Sequence, residues 1–209
     1  MKQMTQVIET NQLPLLVEAL SQGDIVAFPT ETVYGLACRF NDEAALDKLM
    51  EAKNRDYSKA ITLMLSHKED ISNYGEVNPG IKRVIDRFMP GMITIILKKN
   101  ESVAEAMTNG RKTIGIRIPD DQFVLNLIDH TGPLLVTSAN LSGQPNTTNE
   151  EEVLAQLDGR IAYVVKGQTK SNLASTVVDL TGSKPVILRE GLIQANDIEG
   201  VYHENCSRM

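Results

Sequence analysis

Short apolar runs alternate with amphipathic segments along most of the chain. Apolar runs bounded by polar or turn residues, such as residues 25–28 and 134–137, are typical of buried strands. Segments whose apolar residues recur three and four positions apart, such as residues 42–52, predict helices. The pattern predicts helices at 13–22, 42–52, 78–89, 122–129 and 149–157, and strands at 25–28, 61–65, 92–97, 113–118, 134–137, 162–165, 176–179 and 186–188.

Strands that alternate with helices of this length predict an α/β layered domain. The short connection between the last two strands further predicts antiparallel pairing there, so we expect a twisted, mixed parallel and antiparallel sheet with helices packed around it. No internal repeat or linker divides residues 1–209, which favours one domain. We expect its core at about residues 10–192 and a polar, frayed C-terminal tail at 195–209.

Composition and charge narrow the functional classes. With 42% hydrophobic and 23% charged residues, the chain has the composition of a soluble globular protein. No apolar stretch approaches the ~20 residues that span a bilayer, and residues 1–12 do not resemble a signal peptide. The two cysteines, Cys38 and Cys206, form no metal-binding pair and suggest a reducing compartment. We therefore expect a cytoplasmic protein without membrane association.

The net charge of −6 argues against a broad nucleic-acid surface, because binding to phosphate backbones requires clustered cations. Aromatic residues amount to 4% and Trp is absent, so there are few side chains on which bases could stack. A local groove of cations is still compatible with an acidic protein. We expect any binding of tRNA to be weak or indirect.

Residues 29–36, with the sequence Pro-Thr-Glu-Thr-Val-Tyr-Gly-Leu, form the most informative segment. Pro29 ends the preceding strand, because it fixes φ and offers no N–H to a sheet. Hydroxyl and carboxylate side chains follow at once, and ligands of open α/β sheets lie beyond the ends of strands. The alternative is an ordinary loop in which Thr30 and Thr32 cap a turn.

Several cations lie beside predicted strand ends or on neighbouring loops, so a common crevice could collect them: Lys53, Arg55, Lys59, Arg117 and Arg189. A cluster of cations in an acidic protein calls for an anionic ligand, and Arg suits phosphate and carboxylate. The alternative is that each cation is a solvated surface charge. Neither common glycine-rich phosphate loop is present, so dispersed side chains would have to hold a nucleotide.

In these motifs the chain resembles, along nearly its whole length, the YrdC-like threonylcarbamoyl-AMP synthases in their short form. The family's motifs occur in order: the loop at 29–36, Lys-x-Arg at 53–55, Ser-Ala-Asn-x-Ser-Gly at 138–143, and Ser-Thr-Val-x-Asp at 175–179 with Arg189 downstream. The resemblance implies a single YrdC-like α/β domain with a cationic crevice at strand ends.

The resemblance also implies an activity. The family condenses L-threonine, bicarbonate or CO2, and ATP to threonylcarbamoyl-AMP and pyrophosphate, for the threonylcarbamoyladenosine modification of tRNA. It uses Mg²⁺ with ATP, although no metal ligand can be named in this sequence. Downstream proteins that transfer the threonylcarbamoyl group to tRNA are the implied partners.

Residue by residue, the resemblance implies a catalytic role for Lys53 and Arg55. Threonine would contact Thr32, Arg117 and Ser175. ATP would contact Arg55, Lys59, Thr113, Ser138, Asn140, Asn146 and Arg189.

Some positions depart from the family's pattern. Asp56 and Ala60 stand where prolines are common, Met64 stands where some members have histidine, and Asn146 stands where serine is common. None of these departures removes a charge from the expected crevice.

Two other functions are compatible with the residues. Ser138 could be a nucleophile after a strand, but such a serine needs a nearby base, and no G-x-S-x-G elbow surrounds it. The chain could also be a non-catalytic RNA-binding or ribosome-assembly protein that uses the same cationic groove. Salt dependence and a requirement for Thr32 would separate that function from the synthase.

Overall fold

The computed structural model describes residues 4–56 and 60–204. In chain order the elements are β1 Gln6–Ile8, α1 Leu13–Ser21, β2 Val26–Phe28, β3 Gly35–Arg39, α2 Glu43–Ala52, β4 Thr62–Met64, α3 Pro79–Phe88, β5 Ile93–Lys98, β6 Thr113–Arg117, α4 Gln122–Thr131, β7 Leu134–Ser138, α5 Glu150–Leu157, β8 Tyr163–Val165, β9 Thr176–Asp179, β10 Val186–Arg189 and α6 Ala195–His203. Short 3₁₀ helices lie at Thr10–Gln12, Lys68–Asn73 and Glu105–Thr108.

The strands form one mixed sheet in the order β1-β8-β2-β3-β7-β4-β6-β5-β9-β10. Four pairs are parallel, namely β1/β8, β2/β8, β4/β6 and β5/β9, and the other neighbours are antiparallel. The predicted α/β class with a mixed sheet is confirmed, as is the antiparallel pairing of β9 with β10.

Helix starts follow from local sequence. Asp42, Asn78, Asp121 and Asn149 each stand just before a helix and accept a hydrogen bond from the backbone N–H three residues later. Such caps satisfy donors that have no partner within the helix. These short polar residues therefore set the starts of α2, α3, α4 and α5.

Helices cover both faces of the sheet. Along β3, Ala37 belongs to one hydrophobic cluster while Leu36 and Cys38 belong to another, as expected where successive side chains point to opposite faces. The Ala37 cluster includes buried residues of α1 and α4, and the other cluster includes residues of α2, α3, α5 and α6. The face under α1 and α4 is the one that also carries the site.

Three predictions about the fold need correction. Within the expected tail at 195–209, the described part forms α6, which buries Ile198 and Tyr202, and Arg83 donates hydrogen bonds to the carbonyls of Val201 and Tyr202. The core also begins before residue 10, since β1 pairs with β8. The third correction concerns β3, a strand that the pattern did not predict. It lies between β2 and β7 in the sheet and begins at the end of the 29–36 motif.

Candidate functional site

A cavity of about 180 Å³ lies on the sheet face that α1 and α4 partly cover. Its walls come from residues on or next to seven adjacent strands, β3 to β10 in the sheet order. The lining residues are Thr30, Thr32, Val33, Tyr34, Gly35, Arg55, Ala60, Thr62, Met64, Thr94, Arg117, Val136, Thr137, Ser138, Asn146, Ala174, Ser175 and Arg189.

The cavity crosses the sheet diagonally. Ser138 is the last residue of β7 and Arg117 the last residue of β6, but these strands run in opposite directions because β7 is antiparallel and β6 parallel to β4. The carboxyl ends of β6 and β7 therefore point in opposite directions along the strands. The lining residues thus form a band across the face rather than a group beyond one edge.

Most of the predicted site residues lie at this cavity: Thr32, Arg55, Arg117, Ser138, Asn146, Ser175 and Arg189. Lys53 and Asn140 lie behind its wall, and Thr113 lines a neighbouring small depression that shares Ala60 with the cavity. The predicted ATP contact Lys59 lies outside the described residues, as does Cys206.

Hydroxyl groups shape the loop after β2. The Thr30 hydroxyl accepts a hydrogen bond from the backbone N–H of Thr32 at 3.1 Å and donates to the carbonyl of Val33 at 2.7 Å. It also lies 2.9 Å from the Thr32 hydroxyl. Thr30 therefore stabilises the turn, as the alternative interpretation of this loop expected, while Thr32 also contacts Arg117 at the cavity.

Tyr34 fastens the same loop to its surroundings. Its hydroxyl lies 2.9 Å and 2.8 Å from the carbonyl oxygens of Val165 and Gly167, to which it donates. Burial, and then the charge of Glu150, raise the pKa of Tyr34 above its ordinary value, so the phenol stays protonated. The backbone N–H of Tyr34 donates to Thr147, which brings the neighbouring Asn146 to the cavity.

Arg117 forms a buried ion pair with Glu31. Its Nη2 lies 2.7 Å from Glu31 Oε1 and 3.0 Å from the Thr32 hydroxyl. The same carboxylate oxygen accepts the backbone N–H of Asp120 at 3.0 Å. Arg117 Nε has no hydrogen-bond partner among the described residues, and a buried unpaired donor of this kind costs about 1–3 kcal/mol. A ligand with a carboxylate could supply the missing acceptor.

Neither Arg189 nor Arg55 forms an ion pair with another described residue. Arg189 donates to the carbonyl of Ser175 from Nε at 3.0 Å and from Nη2 at 2.8 Å, and Arg55 donates to the carbonyl of Ala60 at 2.9 Å. Burial lowers the pKa of both guanidinium groups, and the charge of Arg117 lowers that of Arg189 further. Both remain charged at neutral pH, since an arginine does not deprotonate in proteins. This crowding of positive charge favours an anionic ligand.

Ser175 continues this network away from Arg189. Its hydroxyl lies 2.8 Å from that of Thr94 on β5 and 3.1 Å from Arg189 Nη2. Ser175 thereby links β9 and the edge strand β10 to the middle of the cavity.

Lys53 lies behind the cavity wall and is almost fully buried. Its amine donates to the carbonyls of Ser138 and Asn140, the latter at 2.6 Å, and to the side-chain oxygen of Asn140 at 3.2 Å. The Ser138 hydroxyl in turn donates to that side-chain oxygen at 2.5 Å. Lys53 and Asn140 therefore position Ser138.

This geometry does not support a nucleophilic Ser138. Its hydroxyl donates to an amide oxygen, which is not a base, and no hydrogen bond joins it to a histidine within the described part of the chain. His67 instead lies 3.3 Å from Asp129, and His130 contacts the carbonyl of Asn126. Cys38 is buried within a hydrophobic cluster. The hydroxyl of Ser138 is placed for hydrogen bonding instead.

Residues 4–56 and 60–204 contain neither a metal-binding cluster nor a helix that could span a membrane. No group of three or more His, Cys, Asp or Glu side chains there could hold a metal ion. None of the helices in these ranges is long and apolar enough to cross a bilayer.

Fold and cavity together define an α/β protein whose site, lined by arginines and hydroxyls, suits an anionic ligand. The chain belongs to the YrdC/Sua5 family: the Sua5/yciO/yrdC family model, described as telomere recombination, matches residues 18–191. The residues that sequence reasoning placed in the family's motifs lie within that match.

Individual relatives show the same similarity. The chain is 38% identical over 206 residues to the threonylcarbamoyl-AMP synthase of Bacillus subtilis and 34% identical over 200 residues to that of Pyrococcus abyssi. These matches cover 95% and 94% of this chain but 59% of each relative, so the chain spans about three fifths of their length. An uncharacterized Haemophilus influenzae protein is 35% identical over 179 residues, which are 84% of this chain and 86% of that protein.

Solved structures share the fold. The crystal structure of P. abyssi Sua5 complexed with L-threonine matches with a TM-score of 0.87 at 33% identity, covering 95% of this chain and 60% of that one. The crystal structure of E. coli YciO matches with a TM-score of 0.82 at 27% identity, covering 93% and 98%. The second structure is similar to this chain over nearly its full length.

Proposed function

We propose that the chain is an L-threonylcarbamoyladenylate synthase, which makes threonylcarbamoyl-AMP and pyrophosphate from L-threonine, bicarbonate or CO2, and ATP. The observation that carries the proposal is a single cavity with three arginines, two of them without a carboxylate partner among the described ion pairs. The naming of the curated relatives and the threonine complex of a structural relative support it.

In this proposal the amino acid lies at the Arg117 end of the cavity. Arg117 would bind the carboxylate of threonine, and Thr32 and Ser175 would bind its polar groups, since a hydroxyl both donates and accepts. Arg55, Ser138, Asn146 and Arg189 would bind the phosphates of ATP, with Lys59 and Thr113 as further predicted contacts. Lys53 and Asn140 would act through Ser138, as positioning residues.

The chemistry then needs little proton transfer from side chains. The ammonium group of bound threonine first gives a proton to water. The free amine then attacks the carbon of CO2 and releases a second proton to form a carbamate, or attacks the carbon of bicarbonate with loss of water. A carbamate oxygen attacks the α-phosphorus of ATP, and the bond from that phosphorus to the bridging oxygen of pyrophosphate breaks. Reactions of this kind are accelerated mainly by positioning and by charges that stabilise the transition state. The arginines at the cavity are suited to that role.

Mg²⁺ enters this proposal as the counter-ion of ATP. The described residues offer no cluster of carboxylates for a resident ion, and the nearest carboxylate at the Arg117 end, Glu31, is already paired. Mg²⁺ commonly keeps several waters and binds substrate phosphates, so it needs no dedicated protein cage.

The proposal places the chain in tRNA modification. Its product is a mixed anhydride, which downstream proteins would transfer to tRNA as the threonylcarbamoyl group. Direct binding of tRNA would be weak, in line with the net charge of −6, and the expected location is the cytoplasm.

Pyrophosphate release from Mg-ATP tests the proposal, with threonine and bicarbonate each omitted in turn and the nucleotide product identified by mass. Release that requires both, with threonylcarbamoyl-AMP as product, is the expected result. If no combination gives release and the folded chain instead binds RNA with a steep salt dependence, the proposal fails in favour of an RNA-binding protein.

Replacing Arg117 tests the amino-acid end. Arg117→Ala should raise the KM for threonine by at least about tenfold, because a charge-assisted bond to the carboxylate is lost, while the KM for ATP changes little. Arg87→Ala, on α3, is the matched control and should leave both constants unchanged. Unchanged threonine affinity in a folded Arg117→Ala variant would argue against this assignment.

A further inference from the structure

The three arginines of the cavity differ in whether a carboxylate offsets their charge. Arg117 is paired with the buried carboxylate of Glu31, which offsets its positive charge. Arg55 and Arg189 are held by carbonyl oxygens, and neither takes part in an ion pair among the described residues. Arg189 lies close enough to Arg117 for the charge of Arg117 to lower its pKa, so the Glu31 carboxylate offsets one of two neighbouring guanidinium charges.

Burial makes this difference effective. Glu31 is 2% exposed and Arg117 6% exposed, so solvent screens their charges little. The second carboxylate oxygen of Glu31, Oε2, has no hydrogen-bond partner among the described residues and keeps its negative charge close to the guanidinium. A ligand at Arg117 therefore meets the carboxylate as well as the arginine.

A neutral pair discriminates between ligands by their net charge. A free amino acid is a zwitterion at neutral pH, so it can bind the arginine through its carboxylate while its net charge is zero. A phosphate or pyrophosphate carries a surplus of negative charge, which the Glu31 carboxylate repels. Removal of that carboxylate would leave Arg117 as an unpaired buried cation, and a polyanion would then bind it well.

We propose that Glu31 is a specificity-determining residue that keeps phosphate groups out of the Arg117 end and so reserves it for a zwitterionic amino acid. This inference rests on the proposed function, in which the same cavity must hold both a polyphosphate and an amino acid. Without such a device, ATP or pyrophosphate would compete with threonine for Arg117.

Calorimetric binding of inorganic pyrophosphate and of L-threonine tests the inference. Glu31→Gln keeps the shape of the side chain and removes its charge, so it should bind pyrophosphate about tenfold more tightly than the unmodified chain. Pyrophosphate should also displace threonine from Glu31→Gln, whereas the unmodified chain should bind both together. Glu9→Gln, which removes one exposed carboxylate, controls for net charge and should behave as the unmodified chain.

Glu31→Asp separates charge from reach. It keeps the negative charge but shortens the side chain, so its affinity for pyrophosphate should stay at the unmodified level even where threonine binds more weakly. Equal gains in pyrophosphate affinity for the Asp and Gln variants would overturn the inference, as would a folded Glu31→Gln that binds both ligands like the unmodified chain.

A measurement on the unmodified chain covers the case in which these variants do not fold. Threonine affinity should change less than about twofold between about 0.05 M and about 0.5 M salt, while ATP affinity should fall about tenfold, since salt screens charged ligands. An equally steep salt dependence for threonine would overturn the inference. These binding experiments need no turnover, so a chain without synthase activity that still passes them separates the two proposals.

Discussion

The amine of Lys53 lies among carbonyl oxygens behind the cavity wall. Lys53→Met should destabilise the fold by about 3 kcal/mol, because the buried carbonyls of Ser138 and Asn140 lose a charged donor. Lys166→Met, at an exposed ion pair, should cost less than about 0.5 kcal/mol. Urea unfolding measures both, and equal stabilities for the two variants would contradict a positioning role for Lys53.

Cys38 should be an inert thiol in the folded chain. Burial, and secondly the charge of Asp42, raise its pKa to about 12. With Cys206→Ser leaving Cys38 as the single thiol, alkylation by iodoacetamide at pH 8 should be about three orders of magnitude slower than for a free thiol, since only the thiolate reacts. Rapid alkylation without unfolding would contradict this.

The raised pKa of Cys38 also makes the stability of the fold depend on pH. The folded-state pKa of Cys38 lies above its ordinary value of 9.0, so the favourable contribution of the buried thiol is complete below pH 9. It is lost as the pH rises toward 12, because in that range the Cys38 thiol of the unfolded chain has lost its proton while the buried thiol of the folded chain keeps it. The free energy of unfolding should therefore fall between pH 9 and 12, and should fall less in Cys38→Ala.

At the scale of residues, the sequence predicted which residues lie at the site better than it predicted their contacts with one another. Arg117 ends β6, Ser175 precedes β9 and Thr32 lies in the loop between β2 and β3, and the structure brings all three to one cavity. The role of Glu31 was missed, because its contact with Arg117 joins residues far apart in the chain and leaves no local pattern. Thr113 lies four residues before Arg117 on β6, about 13 Å away along a strand, and so reaches only the neighbouring depression.

At the scale of elements, Gly191 fits the chain closely against β9. A Cβ built there would lie 2.6 Å from the backbone nitrogen of Thr176 and 2.8 Å from the carbonyl oxygen of Ala174. Gly191→Ala should therefore push apart the segments that carry Arg189 and Ser175.

The expected result for Gly191→Ala is a rise of at least about fivefold in the Kd for ATP together with a loss of about 1–3 kcal/mol of stability. Gly200→Ala in α6, where nothing lies within 4 Å of the added Cβ, is the matched control. It should stabilise the chain slightly, because alanine favours helices by about 1 kcal/mol over glycine. Calorimetry with an ATP analogue and thermal unfolding measure both, and unchanged ATP binding in Gly191→Ala would contradict the expectation.

Elements with strong local signals were predicted, and those that depend on tertiary packing were not. Five helices have apolar faces or caps that the sequence displays, such as Asn78 before Pro79. In α6 the buried residues are only Ile198 and Tyr202 among polar neighbours, and its packing on α3 stabilises it. In β1, a single buried residue, Ile8, was too little for a strand pattern.

At the scale of the whole molecule, the alternation of strands and helices sufficed for the fold class, but strand order did not follow from it. The sheet places β7 between β3 and β4, and β9 beside β5, through contacts between residues distant in sequence. The expectation that functional groups meet beyond strand ends came from the general behaviour of open α/β sheets, whereas the predicted sheet was mixed. Because β6 and β7 run in opposite directions, the groups meet across a face instead.

The diagonal cavity has a mechanical consequence. A ligand that fills it contacts residues on or next to seven strands, so it holds these strands together across most of the sheet's width. These strands can separate only after the ligand has dissociated. In the presence of ligand their amide hydrogens should therefore exchange with solvent more slowly, by the factor 1 + [L]/Kd.

Threonine together with a non-hydrolysable ATP analogue should therefore slow exchange throughout β4, β5 and β6, including amides that touch no ligand. Exchange in β1, at the sheet edge away from the cavity, should slow less. Mass spectrometry of the exchanged chain measures this, and slowing confined to the loops at the cavity would mean that the strands move independently. Slowing throughout the three strands would mean that the sheet couples the two ends of the cavity. Binding of one substrate would then favour binding of the next.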